Sequence, residues 1–396
     1  MIHYLSQLQE TTRRCWDKPA VCNWHGEQFS FADLAANIAK FGIFFEKIGL
    51  KKGDKVALCA TNSARWAISF LSINCYGTVV VPLLAEFTPE SVGSLVHHSE
   101  SKLLFVNKET WAKMDKTGIP ALKAAICNQD YSLLWSADDA IAEAFAAMDD
   151  DFAAAYPNGL SREDINYPSD NWKDLAVINY TSGTTSAPKG VMLTYEAFST
   201  SIDFAIRHIP ATDSDSIVSM LPMGHIYGLV FEFLYPLSCG VTVYYLGKAP
   251  SASTLLKAVG EVKPYLIITV PLVMEKVYKS SIKPVLSKWY MKVLTAIPGV
   301  NKVIYNAIVS KLMAAFGGNV QEFIMGGAAL NPDVERVFRK IGLPYTVGYG
   351  MTEAAPLLAY SHAKDYVPGS CGKRVDSAEV RIDSEDPEHI AGEIQA

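Results

Sequence analysis

The residues from Tyr180 to Gly190, YTSGTTSAPKG, have the composition of a loop that binds phosphate. They follow an apolar run, LAVINY (175–180), and they combine hydroxyl groups and two glycines with one cation, Lys189. A triphosphate needs exposed backbone N–H groups, hydroxyl donors, a cation and no bulky Cβ atoms in its way. The loop is not a Walker A motif, because Gly190 follows the lysine where that motif needs serine or threonine. The stretch therefore favours polyphosphate binding outside the P-loop class.

Four further stretches along the chain contain residue types that suit a ligand site. They are LPMGHIYG (221–228), MGGAAL (325–330), GYGMTE (348–353) and GSCGKRV (369–375). Tyr349 stands between two glycines, which leave its ring free to lie flat against a ligand. The Glu353 carboxylate is the kind of hard oxygen ligand that Mg²⁺ prefers. For His225, which precedes an apolar run, a satisfied core histidine is the alternative to a substrate contact.

The elements that must position these residues are predicted from the spacing of apolar residues. Helical spacing predicts helices over 31–48, 64–76 (with Asn62 as N-cap) and 88–98, and a surface helix followed by a linker over 137–170. Short apolar runs predict the strands 55–60, 78–83, 102–106, 175–180, 217–221, 241–246, 266–270, 322–326 and 345–350. Strands that alternate with helices at this pitch imply parallel sheets covered by helices.

The predicted fold class is α/β, because strands and helices alternate. A chain of 396 residues is too long for one ordinary core, so more than one subdomain is expected. We expect two helix-covered, mostly parallel sheet subdomains packed together, plus a small β-rich terminal subdomain. The expected boundaries are 1–190 for the first subdomain, which ends in the phosphate loop, 191–345 for the second subdomain, and 346–396 for the start of the β-rich part. Short stretches such as AEVRI (378–382) indicate the β-rich terminal subdomain.

Composition and charge narrow the classes of partner and compartment. The formal net charge of −6 gives no general attraction to nucleic acid. Seven scattered cysteines without a CxxC spacing favour free thiols, and the N-terminus has no apolar signal-peptide core, so a cytoplasmic location is predicted. Residues 276–321 are an exception, because they contain seven lysines and no acidic residue. Such a segment is either a solvated helical excursion or a peripheral membrane contact.

The five motifs, in this order, resemble those of the adenylate-forming (AMP-binding) superfamily and, within it, long-chain fatty acid–CoA ligases. One position departs from the usual pattern, since Ser186 stands where glycine is common. The resemblance implies attack of a carboxylate on the α-phosphorus of ATP, which gives an acyl adenylate and pyrophosphate, followed by transfer to CoA. It implies ATP, Mg²⁺ and CoA as cofactors, and CoA is inferred on this ground alone.

The resemblance also implies a role for individual residues. It implies catalytic roles for Lys189, His225, Thr352 and Glu353. Nucleotide binding falls on Thr181, Ser182, Gly183, Thr184, Thr185, Lys189, Gly326, Gly327, Ala328, Tyr349, Gly350 and Thr352. Contact with the acyl group falls on His225, Ile226, Tyr227, Gly228 and Gly348, and Mg²⁺ coordination on Thr181 and Glu353.

The residue after His225 bears on the acid that is activated. Relatives that activate amino acids have an aspartate there for the substrate ammonium group, whereas this chain has Ile226. An unpaired ammonium in an apolar pocket is costly, so an amino acid is disfavoured. The apolar residues from Tyr227 to Phe231 suit an alkyl chain, and a fatty acid is therefore expected. An aromatic or short-chain acid remains an alternative, as does a non-catalytic nucleotide-binding module. The module is disfavoured because Thr181, Lys189 and Glu353 are all intact.

The last residues, Gly392 to Ala396, resemble the beginning of another motif of the superfamily. We therefore expect the mobile C-terminal domain of the family to be absent from this chain. On that expectation the chain binds ATP and acyl adenylate, forms the adenylate slowly, and makes little or no acyl-CoA.

Overall fold

A computed structural model describes residues 1–181, 188–247 and 252–396. Its internal contacts divide the chain into two compact units. The first unit comprises Met1–Ile206, Ala211–Ser214 and Ser219–Ala249; the second comprises Arg207–Pro210, Asp215–Val218 and Pro250–Ala396. The three subdomain ranges derived from the sequence stay a prediction.

A seven-stranded sheet forms the centre of the first unit. In spatial order its strands are Leu133–Ser136, Ala124–Cys127, Leu103–Val106, Lys55–Cys59, Val79–Leu83, Leu175–Thr181 and Lys189–Thr194. The five inner strands are mutually parallel and the two edge strands are antiparallel to their neighbours. Strands covered on both faces are apolar throughout, and every residue of Val79–Leu83 is accordingly buried.

Helices connect and cover the strands of the first 240 residues. They are Tyr4–Arg14, Phe31–Lys47, Ala64–Tyr76, Pro89–His98, Lys108–Lys113, Asp139–Ala146, Met148–Ala155, Tyr195–His208, Ile226–Gly228 and Tyr235–Cys239, with a π-helical turn at Leu229–Leu234. The Phe31–Lys47 helix begins with a capping box, in which Ser30 Oγ accepts from the Asp33 N–H and the Asp33 carboxylate accepts from the Ser30 N–H.

Two details of the predicted helices are wrong. The Ala64–Tyr76 helix has the predicted bounds, but its N-cap is Ser63, whose Oγ accepts from the Trp66 N–H at 3.1 Å. The Asn62 side chain bonds elsewhere, as described below. The surface helix predicted within 137–170 is two helices, Asp139–Ala146 and Met148–Ala155.

A smaller sheet of the first unit joins Pro19–Asn23 to Gln28–Ser30 and to Thr242–Tyr245. The pairing with Gln28–Ser30 is antiparallel and the pairing with Thr242–Tyr245 is parallel. A further strand, Ser216–Ser219, spans one of the points where the chain changes from one unit to the other.

The second unit contains a parallel sheet of Leu266–Thr269, Glu322–Met325 and Tyr345–Val347. An antiparallel sheet follows, made of Tyr349–Gly350, Leu357–Tyr360 and Lys373–Arg374, and then a ladder of Arg381–Asp383 with Glu393–Gln395. Its helices are Ala252–Val262, Pro271–Val277, Lys283–Leu286, Trp289–Leu294, Val300–Ala315 and Pro332–Ile341, with a π-helical turn at Tyr278–Ile282 and a 3-10 turn at Thr352–Ala354.

One predicted strand is divided in the structure. The sequence predicts a single strand over 345–350, whereas Gly348 separates two strands that belong to different sheets. The chain turns there from a parallel sheet into an antiparallel one, and this turn positions Tyr349.

The predicted α/β class is confirmed, with mixed sheets packed with helices and small antiparallel sheets near the C-terminal end. Within the described residues, no helix has both the length and the apolar composition needed to cross a bilayer.

Candidate active site

Three segments that carry polar side chains lie at the carboxyl edge of the seven-stranded sheet. Strand Leu175–Thr181 runs parallel to Val79–Leu83, which in turn runs parallel to Lys55–Cys59. The carboxyl ends of parallel strands lie at one edge of a sheet, which is where open α/β sheets bind ligands. Thr181, Glu86 and Asn62 follow or end these strands, so the fold brings their segments to one edge.

The ends of the phosphate loop are fixed by the antiparallel pair in which Thr181 lies opposite Lys189. Thr181 is half-buried and Lys189 is exposed. In the described part of the chain, the Lys189 ammonium group forms no hydrogen bond or ion pair. The predictions for Ser182, Gly183, Thr184 and Thr185 concern residues that lie outside those described.

Two asparagines hold the LPMGHIYG motif in place. Asn62 Nδ2 donates to the Leu221 carbonyl at 2.6 Å, and Asn62 Oδ1 accepts from the Met223 N–H at 3.0 Å. Asn179 Nδ2 donates to the Gly224 carbonyl at 2.8 Å in a buried position. Because Asn179 stands two residues before Thr181, the same strand positions both the motif and the phosphate loop.

Packing requires glycine at position 228 and leaves little room for a larger residue at position 224. A Cβ on Gly224 would lie 2.9 Å from Leu84 Cδ2, and one on Gly228 would lie 2.9 Å from the Pro222 carbonyl oxygen. Ile226 is buried and Tyr227 is half-buried. Packing alone accounts for Gly228. The acyl contacts predicted for Ile226, Tyr227 and Gly228 stay predictions.

His225 lies in the middle of the motif with its side chain exposed to solvent. The surrounding protein disfavours its charged form and lowers its pKa, and the negative charge of Glu86 acts in the opposite direction. The imidazole is therefore neutral at neutral pH. A neighbouring cleft of about 260 Å³ is lined by Asn62, Leu84, Glu86, Gly224 and other residues of the same unit.

Glu232 holds the backbone at the start of the LPMGHIYG motif, a role that was not predicted from the sequence. Its Oε2 atom accepts hydrogen bonds from the Met220 N–H, the Leu221 N–H and the Ser219 hydroxyl at 3.0, 2.8 and 3.1 Å. Glu232 is fully buried, and burial raises its pKa well above 4.5 although the three donors act in the opposite direction. The signal that could have revealed it is a single acid in the apolar run from Ile226 to Leu237.

We expect Glu232→Gln to flatten the pH dependence of the free energy of unfolding. The pKa of Glu232 is raised on folding, so this group stabilises the fold fully below its unfolded pKa, and the contribution is lost as pH rises through the folded pKa. The contribution of Glu232 to the free energy of unfolding should therefore fall as pH rises above about 4.5, and the variant should lack that part of the slope. Urea unfolding between pH 4 and 8 measures both slopes, with exposed Glu143→Gln as the control. Identical slopes for wild type and Glu232→Gln would contradict the assignment.

The second unit contains a pocket at the carboxyl edge of its own parallel sheet. Met325 lies opposite Val347 in the ladder, so the chain leaves both strands at the same edge. There the Gly348 N–H donates to the Met325 carbonyl at 2.8 Å. A cavity of about 370 Å³ is lined by Gly327, Ala328, Val347, Gly348, Tyr349, Gly350, Tyr366 and neighbouring residues. Four residues predicted to bind nucleotide, Gly327, Ala328, Tyr349 and Gly350, thus line one cavity. Gly326, which carries the same prediction, is buried and precedes Gly327 directly.

Backbone constraints fix the direction of Tyr349. It lies opposite Ala359 in the antiparallel sheet, and Gly350 lies opposite Leu357. A Cβ on Gly350 would overlap the Pro356 carbonyl group, so only glycine fits. Tyr349 is half-buried, which leaves part of its ring accessible from the pocket.

Thr352 and Glu353 follow on a 3-10 turn, with Thr352 half-buried and Glu353 exposed. Within the described residues the Glu353 carboxylate has no hydrogen-bond or ion-pair partner. No three His, Cys, Asp or Glu side chains in those ranges are grouped so as to hold a metal ion.

The other wall of this pocket depends on Glu335. Its Oε1 atom accepts from the Tyr366 hydroxyl at 2.8 Å and from the Gly369 N–H at 3.1 Å. These bonds connect the Pro332–Ile341 helix to the GSCGKRV motif, which contributes Gly369, Ser370 and Cys371 to the lining. Sequence reasoning did not single out Glu335, because an acid in the first turn of a helix is common.

Comparison with known proteins gives consistent results. The chain is 25% identical over 390 residues to long chain acyl-CoA synthetase 4 of Arabidopsis thaliana. The aligned region covers 93% of this chain and 57% of that protein. Its fold is similar to the N-terminal domain of FACL13 from Mycobacterium tuberculosis, with a TM-score of 0.72, 19% identity and coverage of 100% and 86% of the two chains. It is also similar to the anthranilate CoA ligase AuaEII in complex with anthranoyl-AMP, with a TM-score of 0.74, 17% identity and coverage of 99% and 68%.

The chain therefore spans less than two thirds of the length of the Arabidopsis relative that it matches. The two structural similarities are below 25% identity and bear on the fold alone. A family model described as AMP-binding enzyme matches residues 8–395, which is nearly the whole chain. This match, together with the order of the motifs, establishes that the chain belongs to the AMP-binding enzyme family.

Proposed function

We propose that this chain activates a fatty acid with ATP, forming an acyl adenylate whose acyl group is meant for the CoA thiol, with AMP as the leaving group of that second step. The observation that carries the proposal is the pocket of the second unit, where Gly327, Ala328, Tyr349 and Gly350 line one cavity at the carboxyl edge of a parallel sheet. Tyr349 would stack on adenine, and the glycine turn would allow the backbone to approach its edge.

The reaction joins a carboxylate oxygen to the α-phosphorus of ATP. The bond between the α-phosphorus and the bridging oxygen breaks, and pyrophosphate leaves with the electron pair. Both reactants are anionic, so the protein must neutralise charge and align the groups. Lys189 and the Thr181 hydroxyl would bind the departing phosphates, and Thr352 would contact the α-phosphate. Thr181 and Glu353 would hold Mg²⁺, which supplies further positive charge to the phosphate oxygens when bound.

His225 would orient the carboxylate of the acid. Its neutral imidazole offers one N–H donor, while an exposed ring beside a cleft is accessible to a ligand. Because the pKa of His225 is lowered, the ring would align the carboxylate through this hydrogen bond, and the neutralising charge would come from Lys189 and Mg²⁺.

A fatty acid is supported by the residues after His225 and by the relatives. Ile226 is buried where an amino-acid-activating enzyme would need a carboxylate, and Leu229, Val230 and Phe231 are buried beside it. The Arabidopsis relative is named as a long chain acyl-CoA synthetase, which also supports CoA as acceptor. An aromatic acid is the second candidate, because an anthranilate CoA ligase shares the fold.

A series of acyl-sulfamoyl adenosines from acetyl to hexadecanoyl, with a benzoyl member, tests the substrate class by calorimetry. We expect affinity for the chain to rise with acyl length by about 0.8 kcal/mol, roughly fourfold, for each methylene that becomes buried. The uridine analogue of the tightest ligand is the control, since it keeps the acyl chain and removes the purine that Tyr349 would contact.

Two results would count against parts of this proposal. Affinity that peaks at the benzoyl ligand would replace the fatty acid by an aromatic one and leave the adenylation chemistry in place. Equal affinity for adenosine and uridine ligands would reject the assignment of the second-unit pocket to adenine.

A further inference from the structure

Residues 283–304 lie in helical turns and yet include no buried residue. The segment includes the Lys283–Leu286 and Trp289–Leu294 helices and the start of Val300–Ala315. The nearest buried side chains are Ile282 before it and Tyr305 after it. Helices of this length gain most of their stability from packing one face against a partner. Twenty-two consecutive residues without such a face therefore indicate a partner outside the described protein.

The apolar side chains of this segment are exposed to an unusual degree. Of the seventeen large apolar side chains that are exposed among the described residues, seven fall between positions 289 and 303. They are Trp289, Tyr290, Val293, Leu294, Ile297, Val300 and Val303, with Trp289 at 77% and Val303 at 70% exposure. A cluster of exposed apolar side chains commonly marks an interaction site, whereas single exposed apolar side chains are normal on any protein surface.

The charge of the segment selects the kind of partner. The segment contains four lysines (Lys283, Lys288, Lys292 and Lys302) and no acidic residue, in a chain whose net charge is −6. In the described part of the chain, none of these lysines forms an ion pair with an acidic side chain. Lys288 lies 5.8 Å from the centre of the Tyr290 ring, so cation and aromatic surface are adjacent. Such a surface is complementary to a partner that is anionic and apolar at once.

We propose that residues 283–304 dock on the surface of an anionic lipid bilayer. Trp289, Tyr290 and Val303 would enter the boundary between headgroups and acyl chains, where aromatic side chains are favoured. The lysines would remain at the level of the lipid phosphates. No described helix can span a bilayer, so the contact is peripheral. This inference is independent of the proposed enzymatic function, because it rests on the exposed surface alone.

Flotation with vesicles of phosphatidylcholine, with or without 30% phosphatidylglycerol, tests the proposal on the whole chain. We expect binding to the anionic vesicles at least tenfold tighter than to the neutral ones, weakened by salt, with each lysine contributing about fivefold. The double variant Trp289→Ser, Val303→Ser should bind at least tenfold more weakly, and so should Lys288→Gln, Lys292→Gln. The matched controls are Ile390→Ser and Lys113→Gln with Lys364→Gln, which alter exposed side chains elsewhere.

The controls distinguish membrane docking from self-association and from the proposed enzymatic function. Retention of binding to the adenosine ligands in all variants shows that they are folded and leaves the proposed function untouched. Equal binding to both vesicle types, or equal losses in the control variants, would overturn the proposal. Self-association of the chain that Trp289→Ser, Val303→Ser abolishes, without vesicle binding by wild type, would also overturn it and assign the surface to a second copy.

Discussion

Glu353→Gln is expected to slow acyl-adenylate formation by about 10²- to 10³-fold, which is the effect of removing one electrostatic contact from a transition state. The carboxylate is exposed and has no partner among the described residues, so its charge is available to Mg²⁺ and the phosphates. The amide keeps the size of the side chain and removes the charge. Single-turnover formation of hexadecanoyl-AMP, with the chain in excess over ATP, measures the rate.

The same variant should bind hexadecanoyl-sulfamoyl adenosine as wild type does, because that ligand has no pyrophosphate portion and needs no metal. Glu379→Gln, which changes another exposed acid of the second unit, serves as the matched control. A rate within threefold of wild type would contradict the role of Glu353. An equal loss of ligand affinity would show that the substitution acts on the fold instead.

Gly350→Ala is expected to weaken binding of the adenosine ligand by about 10- to 100-fold. The new methyl group would overlap the Pro356 carbonyl group, and a backbone carbonyl can yield only if the strand itself moves. Such a movement displaces Tyr349, and loss of an aromatic stack on a base costs about 1–3 kcal/mol. Calorimetric titration of wild type and variant with the ligand measures the change.

Two further variants keep this prediction independent of general destabilisation. Tyr349→Ala should weaken binding to a similar degree without forcing any backbone movement, since the side chain is only half-buried. Gly260→Ala, at a helical glycine with open space around it, should leave binding unchanged and stabilise the helix by up to about 1 kcal/mol. Unchanged affinity in both Gly350→Ala and Tyr349→Ala would remove adenine from this pocket.

Elements with a strong local pattern could be predicted from the sequence. The helix from Ala64 to Tyr76 has the predicted bounds, because its apolar spacing and the glycine at position 77 are both local signals. The strand Val79–Leu83 differs by one residue from its predicted range, since strands buried on both faces are continuous apolar runs. The division of 345–350 by Gly348 was not predictable, because it depends on the pairing of Tyr349 with Ala359.

The candidate site shows the same limit. The motifs could be recognised as linear patterns, and the second unit places Gly327, Tyr349 and Gly350 around one cavity. The residues that support them could not, because Asn62 bonds the backbone of Leu221 across 159 positions of sequence. No local pattern specifies which distant carbonyl an asparagine will bind, and Asn62 was therefore assigned to the nearest helix as a cap.

The most direct test of the central claim follows the oxygen of the acid. The chain is incubated with ATP, Mg²⁺ and hexadecanoate carrying ¹⁸O in both carboxylate positions, and hydroxylamine then cleaves the product. If the carboxylate attacks the α-phosphorus, the released AMP carries one ¹⁸O atom and the pyrophosphate carries none. Formation of ADP, or AMP without the label, would show that this chain does not join the carboxylate to the α-phosphorus and would contradict the account.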